Sequence, residues 1–301
     1  MKRLIVWSII IIVTILVLDI CFGVMFNSHM KNHTLPGDYE MTDHILRNSD
    51  NEDIVVLGSS VALNSINTKT LQDSLGIKSF NGGANGQSFP FHLTLLKSVL
   101  SQHAPKHIIL GIIPDNLSTT GKGARYNFLA PYYGMGISDI DSRLEEGDAI
   151  EKTLLKSNFY RLNRIWFRIF LYNFVQAGIK GENGFIAKPI PPQFPERMEI
   201  VEHKSMSDER RNQFEEFVKL CKDNDVKLTV VFTPQCITSN NSAEDPIVNE
   251  VREICKKNGV QLFDDRMIAP FNDDNTLFYD DAHININGSK IYTDTILTRL
   301  K

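Results

Sequence analysis

The sequence predicts an α/β domain with a mainly parallel sheet covered by helices on both faces, preceded by one transmembrane helix. Three observations carry this. Short apolar runs alternate with helix-length amphipathic segments, as in strands joined by helical crossovers. Runs such as Ile54–Leu57 are continuously apolar rather than alternating, as expected of strands buried on both sides. The N-terminus carries a long apolar stretch, Leu4–Phe26, whose one charged residue is Asp19.

At about 1.5 Å per residue that stretch spans roughly 34 Å, enough to cross a hydrocarbon core of about 30 Å. It exceeds the usual signal-peptide core of about 7–15 residues, and no small-x-small cleavage site follows it. Ile20, before Cys21, argues against lipoprotein-type cleavage. Lys2 and Arg3 hold the N-terminus in the cytoplasm, so the rest of the chain is exported. Asp19 is the discord, since an acidic residue at mid-bilayer costs about 2.5–3.5 kcal/mol. It lies two-thirds of the way along the run, and two readings stand: a tolerated polar residue, or a contact with another membrane protein.

The chain has 301 residues, of which 42% are hydrophobic and 23% charged, the balance of an ordinary globular protein. A net charge of −4 gives no basic footprint for nucleic acid. Cys21 sits in the apolar stretch; Cys221, Cys236 and Cys255 have no zinc spacing and read as small buried hydrophobes, with a Cys221–Cys255 bridge open to an oxidising compartment. No metal or cofactor is expected. The organisation predicted is an anchor at 1–26, a juxtamembrane linker at 27–50, and one α/β domain at 51–301 with a helical and loop insertion at about 117–200.

Within that domain the elements follow in order. A short helix at Met41–Arg47 precedes the first strand, Ile54–Leu57. Asn67 caps a helix that Gly76 stops, and Lys78–Phe80 is a second strand. The turn Asn81-Gly82-Gly83-Ala84-Asn85-Gly86 leads into a helix from about Pro90 to Gln102, and the third strand is His107–Ile113, ended by Pro114-Asp115-Asn116. After the insertion come a helix near Asp208–Asp223, a strand at Val226–Phe232, a helix near Pro246–Lys257, a strand at Val260–Phe263 and a last helix from about Asn287. In such sheets ligands lie beyond the carboxyl ends of the strands.

The candidate motifs occupy those ends. Gly58-Ser59-Ser60 follows strand one, placing Ser60 on a strand-to-helix turn with amides available for an oxyanion. Ala62 stands where a G-x-S-x-G elbow has its second glycine, which argues against the α/β-hydrolase pattern. The Asn81–Gly86 turn lets a backbone amide approach a ligand closely. Asp280-Asp281-Ala282-His283 precedes the last helix, and an Asp three residues before a His can accept from its Nδ1–H and free Nε2 as a base.

Taken together, these blocks resemble the SGNH (GDSL-like) hydrolase superfamily over roughly residues 50–116 and 225–300. They look closest to its membrane-anchored envelope acyltransferases, such as the D-alanyl-lipoteichoic acid transfer protein and alginate or peptidoglycan O-acetyltransferases. The resemblance implies a flavodoxin-like three-layer sandwich and a bacterial plasma membrane. It also implies Ser60 as nucleophile, His283 as base, Asp280 as orienting acid, and the amides of Ser60 and Gly86 as oxyanion donors. Asp281 has the wrong spacing. The family usually carries Gly-x-Asn after strand three; here Asn116 is displaced to the end of Gly111–Asn116, and Asn116 or Asn85 is the substitute donor.

In the insertion, Ser157–Ala177 is rich in aromatics, with Arg161, Arg164 and Arg168 on one helical face. It reads as a core helix with a basic stripe or as an amphipathic helix on a membrane or membrane partner. The function expected is acyl transfer from a donor to a polysaccharide acceptor through acyl-Ser60. By the family analogy a membrane-bound O-acyltransferase is the donor's source. A plain esterase or deacetylase, and a non-catalytic glycan-binding protein of the same fold, stand as alternatives.

Overall fold

The computed structural model describes residues 1–32, 35, 39–49, 51–118, 126–137, 139–145, 149–163, 165–167, 182–199, 204–238 and 245–300. In chain order the helices and strands are α1 (Lys2–Asn32), α2 (Glu40–Arg47), β1 (Ile54–Gly58), α3 (Ser60–Ser65), α4 (Thr68–Leu75), β2 (Ser79–Asn81), α5 (Phe89–Gln102) and β3 (His107–Ile112). Then follow α6 (Ile140–Leu144), α7 (Ala149–Leu154), α8 (Asn158–Leu162), α9 (Asp208–Asp223), β4 (Lys227–Phe232), α10 (Pro246–Asn258), β5 (Gln261–Asp264) and α11 (Ile286–Leu300). The chain divides into two compact units, one of Met1–Glu40 with Tyr126–Gly178, the other of Met41–Arg125 with Ile179–Lys301.

The larger unit is a five-stranded sheet of order β2-β1-β3-β4-β5, parallel throughout, the strand order of the flavodoxin-like sandwich. Every residue of β1 and β3 is buried, which explains why both are apolar apart from His107. One group of helices, α3, α4 and α11, packs together, and α5, α9 and α10 form the other. Local sequence sets the helix ends. Asn67 accepts from the Thr70 amide at 3.1 Å to open α4, and Asp245 accepts from Ile247 and Val248 to open α10, where Pro246 is the first helical residue. The core on the α11 side joins Ile54, Val56 and Ile109 of the sheet to Ala62, Leu71, Phe271, Phe278, Tyr292 and Ile296. Cys221, Cys236 and Cys255 are buried free thiols, so the bridge left open by the sequence is not formed. Burial pushes the thiols of Cys221 and Cys255 up to about 12.

The smaller unit contains α1, whose Lys2–Met30 portion is long and apolar enough to cross a membrane. Asp19 is partnered within the chain: its carboxylate accepts four hydrogen bonds from Ser157, Asn158 and Phe159 at the start of α8. The described helix there ends at Leu162; Arg164 and Arg168 lie outside the described residues.

Candidate active site

The site is built at the carboxyl edge of the sheet from four connections. Ser60 opens α3 directly after β1. Ser59 sits at the cap position, yet its hydroxyl makes no capping bond and instead donates across the strand ends to Asn116 Oδ1 at 3.1 Å. The turn after β2 is held under α3 by buried Asn81, whose Nδ2 donates to the Ala62 and Ile66 carbonyls at 2.9 Å each and whose Oδ1 accepts from the Gly83 amide. That clamp fixes the two loops carrying Ser60 and Gly86 against each other.

The third connection is the loop before α11. Asn285, fully buried, accepts from the amides of Asn287 and Gly288 through Oδ1 and donates from Nδ2 to the carbonyls of Thr276 and Phe278. It thereby caps the helix and closes the loop in one side chain. Gly288 follows from the same closure, since a β-carbon there would fall 2.4 Å from the Leu277 carbonyl oxygen. The loop presents His283 with Nε2 at 2.7 Å from Ser60 Oγ and Nδ1 at 2.8 and 3.0 Å from the two Asp280 oxygens. Asp280 Oδ1 also accepts from the amides of Ala282 and His283. Burial by itself raises the Asp280 carboxyl, but the bond from His283, the imidazole's charge and those amides outweigh it and hold the group below its ordinary 3.8. An ionised Asp280 can only accept, so the proton sits on Nδ1 and the Nε2 lone pair meets the Ser60 hydroxyl.

Asn116 settles in a 3₁₀ turn, Pro114–Leu117, after β3. The Ile113 amide points at its side-chain oxygen at 3.0 Å, and an N–H can only donate, so the atom it meets is Oδ1. Its Nδ2 is thereby turned away from that pair of bonds. Asn116 lines a cleft of about 320 Å³ together with Ser60, His283 and Gly86. The displacement along the sequence is thus undone by the turn, which brings Asn116 back beside the serine. Asn85 is exposed and outside the cleft lining. The amides of Ser60 and Gly86 make no backbone hydrogen bond among the described residues. The structure therefore gathers Ser60, His283, Gly86 and Asn116 at one cleft, with Asp280 bonded to the imidazole, while Asp281 lines the second cleft and is not the imidazole's partner.

That second cleft, about 300 Å³, shares Ile113, Asp115 and Ala282 with the first and is lined by Arg266. Arg266 is 2% exposed and bonds both oxygens of Asp264 at 2.7 and 2.8 Å. The sequence reading missed it, along with Gln87 and Ser88 of the first cleft's wall; a buried arginine in a loop carries no periodic signal. Among the described residues no group of three or more His, Cys, Asp or Glu is placed to hold a metal.

No protein-family model matches the chain, and no curated protein matches its sequence. Solved structures do. The chain is similar to a psychrotrophic esterase from Pseudoalteromonas sp. (14% identity, 83% of this chain and 97% of that one, TM-score 0.43) and to a lipase/acylhydrolase from Enterococcus faecalis (10%, 83% and 95%, 0.42). It is also similar to an acetyl xylan esterase (13%, 82% and 100%, 0.43). At these identities and superpositions the likeness fixes neither reaction nor substrate.

Proposed function

We propose that the protein is an SGNH-type serine enzyme that moves an acyl group through an acyl-Ser60 intermediate, to or from a cell-envelope polysaccharide. The observation that carries this is the chain of hydrogen bonds from Ser60 Oγ through the His283 imidazole to Asp280. Ser60 Oγ attacks the ester carbonyl carbon as its proton passes to His283 Nε2, and Asp280 supports the imidazolium that forms. The new oxyanion accepts from the amides of Ser60 and Gly86 and from Asn116 Nδ2. Collapse breaks the bond to the leaving alcohol, which takes the proton from Nε2. An incoming hydroxyl then gives its proton to His283 and attacks acyl-Ser60; the bond to Oγ breaks, Ser60 takes the proton back from Nε2, and the acyl group leaves on the new oxygen.

Transfer and hydrolysis share every step but the last acceptor. The second cleft, walled by Asp115, Asp281 and Arg266, adjoins the first through Ile113, Asp115 and Ala282 and is the place offered to an acceptor. The apolar α1 favours a membrane-held enzyme; the family resemblance adds the domain outside a bacterial plasma membrane and a membrane-bound O-acyltransferase as the donor's source. An assembled triad weighs against the glycan-binding alternative. The test is intact mass of the full chain in detergent after exposure to an activated acetyl ester, beside Ser60→Ala. One acetyl group gained by wild type and absent from the variant is expected. Labelling that persists in Ser60→Ala overturns the reading. A saccharide acceptor that consumes the adduct faster than water identifies a transferase.

A further inference from the structure

We propose that residues 149–163 and 165–167 are embedded in one leaflet of the bilayer, their outward apolar side chains in contact with lipid acyl chains; this rests on α1 spanning the membrane. The motivation begins at Asp19. Its Oδ1 accepts from Ser157 Oγ and the Phe159 amide, both at 2.8 Å, and its Oδ2 from the Asn158 amide at 3.0 Å and Asn158 Nδ2 at 3.1 Å. One turn further, Gly23 makes room, since a β-carbon there would fall 2.3 Å from the Asn158 side chain. Between them Phe22 stacks on Phe159 with ring centroids 4.9 Å apart. The start of α8 is therefore seated on α1 at the level of residues 19–23.

That level lies inside the apolar stretch. From Asp19 to Phe26 an α-helix rises about 10 Å, and a single leaflet contributes roughly 15 Å of hydrocarbon. Anything clasped to Asp19 is carried to that depth. Two costs of such a position cancel in the clasp. A bare carboxylate in hydrocarbon is expensive, and so are the amides of a helix's first turn, which have no partner in their own helix and no water in lipid. Asp19 and the amides of Asn158 and Phe159 satisfy each other. Arg161 adds its charge nearby, bonded to Asn158 Oδ1 and the Tyr133 carbonyl.

The surface of the segment agrees. Leu155, Leu162 and Ile165 are about 1% exposed and face the unit's interior. Ile150, Leu154, Phe159, Trp166 and Phe167 face outward, 71%, 40%, 42%, 47% and 51% exposed. These apolar side chains share the outward side with exposed Lys152, Thr153, Lys156 and Asn163, whose polar groups reach toward the headgroups while the apolar ones meet acyl chains. The segment's continuity with α1 names the occupant: the acyl chains that surround the span.

The chain carries two tryptophans, Trp7 in α1 and Trp166 in the segment, so each can be isolated as a depth reporter. The full chain is reconstituted into phosphatidylcholine–phosphatidylglycerol vesicles bearing brominated acyl chains. Trp7→Phe leaves Trp166 alone, and Trp166→Phe leaves Trp7. The expected result is bromine quenching of Trp166 comparable to that of Trp7, with neither reached by aqueous iodide. Quenching of Trp7 but not of Trp166 overturns the proposal and leaves the anchor standing, whether iodide reaches Trp166 or a protein partner shields it. Failure of bromine to quench either one overturns the membrane-spanning reading and the proposal with it. Asp19→Leu in the Trp7→Phe background is expected to open Trp166 to iodide; no change would overturn Asp19 as the clasp.

Discussion

Gly58 and Gly111 lie directly opposite each other at the ends of β1 and β3, so close that a β-carbon on Gly58 would fall 1.9 Å from the Gly111 carbonyl oxygen. Gly58 also holds φ at +141°, a conformation essentially closed to other residues. Both glycines face Ala62, whose β-carbon would be 2.8 Å from one added at either. The tight packing of these three positions seats the turn that carries Ser60. Gly58→Ala is therefore expected to destabilise the fold by about 3 kcal/mol or more. Gly259→Ala is the contrast: φ is +69° but nothing lies within 4 Å, and about 1 kcal/mol is expected. Chemical denaturation of the two variants checks the difference.

Ser60, His283 and Asp280 act as one unit in the proposed reaction, so their losses do not add. Ser60→Ala is expected to lower kcat by roughly 10⁴–10⁶, and Asp280→Asn, which no longer holds the imidazole's tautomer, by roughly 10²–10⁴. The double variant Ser60→Ala/His283→Ala is expected to be no slower than Ser60→Ala. Esterase rates on an activated acetyl ester decide this, and an additive double variant would exclude a shared step.

Asn116 has two separable duties. Its Oδ1 serves Ile113 and Ser59, while its Nδ2 is the proposed oxyanion donor. Asn116→Asp keeps the acceptor and removes the donor. A loss of about 10²–10³ in kcat with unchanged melting is expected. Asn116→Ala, which also orphans the Ile113 amide, is expected to lose the same rate and to melt earlier.

His107, on β3, is buried with Nε2 2.8 Å from Thr229 Oγ1. Burial, with the charge of Lys227 adding to it, pushes the imidazole from 6.5 down to about 4. Below pH 6.5 the unfolded chain therefore takes up a proton that the folded one refuses. Stability from this group is fully present above 6.5 and is lost as pH falls from 6.5 to about 4, by at most about 1.4 kcal/mol per pH unit. His107→Gln lacks this dependence, so the wild type's advantage over it is expected to shrink across that window in urea titrations.

Strands and crossover helices were legible in the sequence because burial on both sheet faces leaves an apolar signature, as in β1 and β3. The order of the site blocks was legible too, since Ser60, Gly86 and His283 each follow a recognisable strand or precede a recognisable helix. What the sequence hides is how irregular backbone folds back. Asn116 looks misplaced by linear spacing, and only the 3₁₀ turn returns it to the serine. The six residues of α3 are too few to show a period. Asp19 looks like a solitary anomaly because its partners are 138 to 140 residues away.

The hydrogen bond between Ser60 and His283 joins positions 223 residues apart, near the two ends of the larger unit. During synthesis the proposed nucleophile therefore emerges early and its proposed base almost last. A ribosome-bound or prematurely terminated chain holds an ordinary, unreactive serine until α11 is made and Asn285 closes the loop. Chain order alone thus delays the proposed chemistry until the whole domain has been delivered.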